Sequence, residues 1–176
     1  MKYLYWSIAM LMVLGITGAC IWMSNKIPKT GYVDLKEIYN DFKMTKELEG
    51  TLSNVQQQRK LVLDSMVLRI NLTAKQIEKI PEKSRTVPIQ GLDYKKQEYY
   101  MKKKQFDEDN ENTLRQYNEQ VWKQLNQYVK DYAKEHHYNY VFGADGTGTL
   151  MYGDDAQEIT LEIKKYSNAR YKGLGK

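Results

Sequence analysis

Cysteine is almost missing from this chain: Cys20 stands alone among 176 residues, with only two histidines and three prolines for company. A lone thiol excludes any disulfide within one copy, and it leaves the redox compartment unreadable from cysteine pairing. The two histidines, His136 and His137, are adjacent, and adjacent side chains on a helix diverge. With no further cysteine or histidine nearby they do not complete a metal site, and a helix-end role fits them better. They are also poorly placed to act as a base, so no Ser/His/Asp set is assembled. FGADGTG lacks the Lys-Ser/Thr tail of a phosphate-binding loop and the GxGxxG spacing of a dinucleotide turn, so it reads as a turn alone. Asn71-Leu72-Thr73 fits a glycosylation acceptor, but that pattern recurs by chance and here falls within a helix. These absences describe a non-enzymatic protein that needs no cofactor, metal or nucleotide.

Charge is absent from one end. Between Tyr3 and Asn25 there is no charged residue, and an apolar run of about 22 residues makes roughly 33 Å of helix, enough to cross a bilayer. Residues 1–25 therefore meet a membrane, in one of three ways. They stay as an anchor, are cut after Ala19 as a signal peptide, or carry lipid on Cys20. In Gly18-Ala19-Cys20 the lipidation pattern is recognisable, although Thr17 stands where leucine is usual. In each case the remainder is exported.

Beyond a linker at 26–31, Tyr32-Val33-Asp34-Leu35 alternates as a short strand, with Val33 and Leu35 on one face. Leu35, Ile38, Phe42, Leu48, Leu52, Val55, Val62, Met66 and Ile70 then recur at steps near three, four or seven, as on an amphipathic helix with a narrow apolar seam. IPEKSRTVPIQGLD concentrates two of the prolines and a glycine, and the helix must turn there. Leu114, Tyr117, Val121, Leu125, Tyr128 and Tyr132 resume the period towards His137. Residues 36–80 and 93–137 thus give two arms of about 45 residues, each roughly 65 Å if continuous. Equal helices on either side of one breaker make an antiparallel hairpin over 36–137, with its tip around 80–92.

The chain carries a net charge of +5 and a pI near 9.0, which favours acidic partners. Between Arg59 and Lys104 twelve Lys and Arg face five Asp and Glu, so the far part of the arm holds more positive charge than the whole chain's net. A solvated helix face explains such a run as well as a binding surface does. The excess overlaps Leu68, Leu72, Tyr99, Tyr100 and Met101, however, so basic and apolar groups are offered together. The candidate partner-binding residues are Arg69, Lys75, Lys79, Lys83, Arg85, Lys95, Lys96, Tyr99 and Met101. Nucleic acid ranks below other partners, because the cations are mixed with acids and the leader points out of the cytoplasm.

Tyr138, Tyr140 and Phe142 alternate with Asn139 and Val141, and Leu150 and Tyr152 alternate with Thr149 and Met151. With Asp145-Gly146 and Gly148 between them, the pattern predicts a β-hairpin. Asp155 with Glu158 reads as a helix cap, after which Ile159, Ile163 and Tyr166 share a face of a last helix. Strand 32–35 and residues 138–172 form a head of only about 50 residues, too small to sustain a core without disulfides, metals or partner chains. Identical copies are the remaining source of burial, which makes Val33, Leu35, Tyr138, Tyr140, Phe142, Leu150 and Tyr152 candidate oligomerisation residues. The fold class is mainly α with a small β body: a long helical hairpin arm projecting from a β-rich oligomerisation head.

GYVDLKEIYNDFKMTKELE and DYAKEHHYNYVFGADGTGTLMYGDDAQEITLEIKKYSNARYKG together resemble the Skp/OmpH family of periplasmic chaperones for outer-membrane proteins. The two blocks frame nearly everything after the apolar segment. The resemblance implies a homotrimer in the periplasm of a Gram-negative bacterium, with three helical arms around a cavity for unfolded polypeptide. It implies no catalytic residue. Family members are typically soluble after signal cleavage, whereas this leader has the length of an anchor. Two functions follow: an ATP-independent holdase for unfolded outer-membrane or other envelope proteins, with acidic β-barrel chains as preferred clients, and a membrane-anchored coiled-coil spacer or adaptor of the envelope.

Overall fold

The computed structural model describes residues 27–174 together with Met10, Met12 and Thr17. The readings made for the Tyr3–Asn25 segment, including cleavage after Ala19 and lipid on Cys20, lie outside the described residues apart from those three. Among the described residues no helix is long and apolar enough to cross a membrane. In chain order the elements are β1 (Thr30–Asp34), α1 (Leu35–Asn40), α2 (Lys43–Glu78), α3 (Thr86–Glu135), β2 (Tyr140–Ala144) and α4 (Thr160–Arg170), with 3-10 turns at Glu82–Ser84 and Asp155–Gln157. The chain divides into two compact units: residues up to Ile38 with Asn126–Ser167, and Tyr39–Leu125 with the residues from Asn168 on.

In the first unit β1 and β2 pair in parallel, with Tyr32 opposite Phe142 and Val33 opposite Gly143. Parallel pairing needs a long crossover, and the helical residues between the two strands supply it. The other edge of β1 is met by the stretch that leads into α4. Tyr32 bridges Glu158, the Ile159 N–H donates to the Tyr32 carbonyl at 2.9 Å, and the Asp34 N–H donates to Thr160 Oγ1 at 2.9 Å. β1 is thus the middle of the arrangement. Val33, Ile38, Tyr132, Ile159 and Ile163 are buried around it. Tyr132 stacks on Tyr138 and takes the edge of Tyr166, with centroids 6.1 and 5.2 Å away.

The expected hairpin does not form among the described residues. β2 ends at Ala144, and Thr149–Tyr152 enter no strand. The turn chemistry is present, since Gly146 and Gly148 have φ of 76° and 105°, and the Asp145 carboxylate accepts the Thr147 N–H at 2.8 Å. These features shape a loop instead, because β2 takes its ladder from β1. The chain then passes the Tyr32 ring at Gly153, where a Cβ would lie 2.4 Å from that ring. The cap ahead of the last helix also differs: Asp154, not Asp155, accepts the Ala156 N–H at 2.9 Å, and it opens a 3-10 turn rather than α4.

α3 ends as the paired histidines suggest. His137 adopts φ 60°, and the Tyr138 N–H returns to the Ala133 carbonyl at 2.8 Å, a left-handed residue closing a helix C-terminus. His is among the side chains that tolerate this region best outside glycine.

In the second unit α2 and α3 form an antiparallel hairpin, as their contacts show. Tyr39 just ahead of α2 reaches Asn118 and Trp122, Arg59 reaches Asn110, and Thr73 reaches Lys95. Partners descend on one helix as they ascend on the other. Two details depart from the expectation of one unbroken helix over 36–80 and a second from 93. Helix stops between Asn40 and Lys43 because Phe42 is extended, with ψ 130°, and its side chain is fully buried. α3 also begins at Thr86, ahead of Pro88 and Gly91: in the first turn the missing N–H of proline has no helical acceptor to lose. Buried side chains gather at two places, Phe42, Met44, Leu48, Leu52, Val121 and Leu125 at one and Ile77 with Leu92 at the other. Residues 53–76 and 93–120 contain none that is fully buried.

Candidate binding surface on the α2–α3 hairpin

The helical period places the candidate side chains on α2 and α3 and the turn between them, where Arg69, Lys75, Lys79, Lys83, Lys95, Lys96 and Met101 are exposed and Arg85 and Tyr99 half-buried. They do not share one role. Arg85 donates from Nε to the Ile80 carbonyl at 2.7 Å and from Nη2 to the Glu78 carbonyl at 3.0 Å. Its guanidinium therefore satisfies carbonyls left open at the end of α2. Lys95 donates to Thr73 Oγ1 at 2.9 Å, and Lys96 lies 3.6 Å from Asp93. Arg69, by contrast, meets no carboxylate among the described residues.

Large apolar side chains stand out from the same hairpin. Leu61, Leu68, Leu72, Tyr94, Tyr100 and Met101 are each more than half exposed. A stable hairpin with this much uncovered apolar surface needs other adhesion between its helices, and polar clamps provide it. Arg59 hydrogen-bonds Asn110, lies 3.7 Å from Asp109 and covers the Phe106 ring at 5.4 Å. On α3 itself Lys103 pairs with Asp107 at 2.6 Å, and that hydrogen bond raises the lysine's pKa above its usual value.

Where the seam is not fully buried, the two helices leave a half-open groove of about 440 Å³. Val62, Met66 and Ile70 of α2 give it apolar lining, and Arg69, Lys95 and Lys102 surround it with Glu98 and Ser65. Sequence reading found Arg69 and Lys95 by charge. Lys102 belongs to the same basic excess but not to the candidate residues, and the groove itself is not legible in the sequence, because periodicity does not say how far apart two helices stand.

The candidate oligomerisation residues divide as well. Val33 is buried in its own unit, Leu35 packs against Gly143, and Leu150 and Tyr138 are half-buried, the latter under Lys29 at 4.0 Å from its ring. Tyr140, Phe142 and Tyr152 are exposed, with Tyr140 and Phe142 stacked on each other at 6.2 Å.

A small β body with long paired helices defines a mainly α fold of the OmpH-like chaperone type. The outer membrane protein (OmpH-like) family matches residues 29–166. The chain belongs to that family, also called Skp/OmpH. Among solved structures, that of a candidate outer membrane chaperone (OmpH-like) from Caulobacter crescentus CB15 superimposes with a TM-score of 0.74 at 16% sequence identity. The alignment covers 85% of this chain and 89% of that one, so the likeness is one of fold. No curated protein sequence matches the chain. The family is non-enzymatic and supports a chaperone role.

Proposed function

We propose that this protein is an ATP-independent holdase, which binds unfolded outer-membrane or other envelope proteins between the basic helical arms of a homo-oligomer. The carrying observation is the α2–α3 hairpin, which at residues 61–72 and 94–101 exposes leucines, tyrosines and methionine among lysines and arginines. An unfolded acidic chain is drawn by the charge and held by many weak apolar contacts, so release needs no nucleotide. A trimer in the periplasm of a Gram-negative bacterium accords with the family, and the exposed Tyr140, Phe142 and Tyr152 supply an apolar surface for contact between copies. The apolar N-terminal segment would tie the assembly to a membrane.

Light scattering tests this reading. An acidic β-barrel protein diluted from urea should aggregate less as the full-length chain approaches equimolar amounts, with no nucleotide added. Undiminished scattering at a severalfold excess would contradict a holdase and favour an envelope spacer.

A further inference from the structure

The groove between α2 and α3 brings cations and apolar side chains to one place. Three cations, Arg69, Lys95 and Lys102, border it against one carboxylate, Glu98, and no ion pair forms among these four. Lys95 is turned towards Thr73, and Lys102 lies over the Phe106 ring and near Gln105. The Arg69 guanidinium is engaged by no described residue. Beneath them Val62, Met66 and Ile70 offer an apolar lining, and the volume of about 440 Å³ falls in the range that encloses a small ligand.

We propose that this groove, within the holdase reading above, is a subsite for one large apolar side chain next to a carboxylate in an unfolded polypeptide. The apolar group enters between Met66 and Ile70, and the neighbouring carboxylate meets Arg69 and Lys95. Clients would then be held at preferred acidic-apolar positions rather than uniformly along their length. Methionine suits such a lining, because its unbranched thioether adapts to different side chains. The net positive rim rejects the same apolar group next to a lysine.

The test uses the full-length chain in nanodiscs, with empty nanodiscs as control, and a fluorescent peptide carrying one Phe between two Asp. Replacing that Phe by Ser should weaken binding about tenfold, and replacing both Asp by Asn about threefold. Arg69→Gln with Lys95→Gln, both exposed, should abolish the Asp dependence of peptide binding and keep the Phe dependence. Met66→Trp, which fills the groove, should abolish the Phe dependence. Peptide binding indifferent to both probe changes, with aggregation still suppressed, would overturn the subsite and leave the holdase reading standing. Failure to suppress aggregation at all would instead remove the holdase reading. Displacement of the peptide by octanoate at lower concentration than by unlabelled peptide would assign the groove to anionic amphiphiles and also overturn the proposal.

Discussion

Asn168 of α4 caps the start of α2 at Lys43: its Oδ1 accepts the Lys43 N–H at 2.8 Å while its Nδ2 donates to the Asp41 carbonyl at 3.0 Å. One amide thereby closes both sides of the break at Phe42, an N-cap residue whose own side chain makes no capping hydrogen bond. Asn168→Ala should lower stability by about 1–2 kcal/mol. Asn168→Asp, which keeps the acceptor and loses the donor, should fall between. Urea unfolding at fixed protein concentration checks this, and an alanine variant as stable as wild type would contradict it.

Glycines at two kinds of position should respond in opposite directions. Gly153 has no room for a Cβ beside the Tyr32 ring, whereas a Cβ at Gly50 within α2 meets nothing within 4 Å. Gly153→Ala should destabilise by about 1–3 kcal/mol. Gly50→Ala should stabilise by about 0.5–1 kcal/mol through helix propensity and reduced chain entropy. Thermal melts showing Gly153→Ala as stable as wild type would refute the packing described at Tyr32.

Alkaline pH should loosen the fold. Tyr32, Tyr39 and Tyr132 have pKa values raised above the usual 10.0, each chiefly by burial, and Tyr32 also by Glu158, Asp155 and Asp154. Because the folded state favours the protonated phenol, this stability is complete below pH 10 and is lost as pH rises through the higher folded values. Asp145 works in reverse. Its carboxyl is held below its usual value by the Thr147 hydroxyl and N–H, so its contribution exists above that value and fades as pH falls through the lowered one. Urea midpoints that did not decline between pH 9.5 and 11.5, or a decline unchanged in the Tyr32→Phe, Tyr39→Phe and Tyr132→Phe triple variant, would count against this assignment.

Contact between copies should depend on the exposed aromatic surface of β2. Tyr140→Asp with Phe142→Asp should reduce the assembly to smaller species while preserving helical circular dichroism, since neither side chain is buried within the chain. Sedimentation velocity reads the outcome. An unchanged assembly mass would move the oligomer contact elsewhere.

Much of this architecture is legible in the sequence, and what is not has identifiable causes. The long helices announce themselves through Leu48, Leu52, Val121 and Leu125, because a buried stripe leaves a 3.6-residue period. Phe42 obeys that period yet ends a helix, since its cap is a residue more than a hundred positions away. The alternation at Tyr138–Phe142 marks a strand correctly, but alternation does not name a partner, and β1 rather than residues 149–152 takes it. Arg85 is basic and near the tip, as a binding residue would be, but the open carbonyls of α2 claim it. The groove at Met66 and Arg69 depends on the spacing between two helices, which neither helix encodes by itself.

In the proposed holdase, the basic and apolar side chains of the α2–α3 hairpin hold unfolded chains. The most direct measurement of this is the affinity of the full-length protein for one acidic, unfolded β-barrel protein from 50 mM to 500 mM salt, by fluorescence anisotropy. Screening of exposed charge should weaken binding about tenfold or more without abolishing it, since the apolar contacts persist. Affinity that stays flat across that range, or no binding even at the lowest salt, would contradict it.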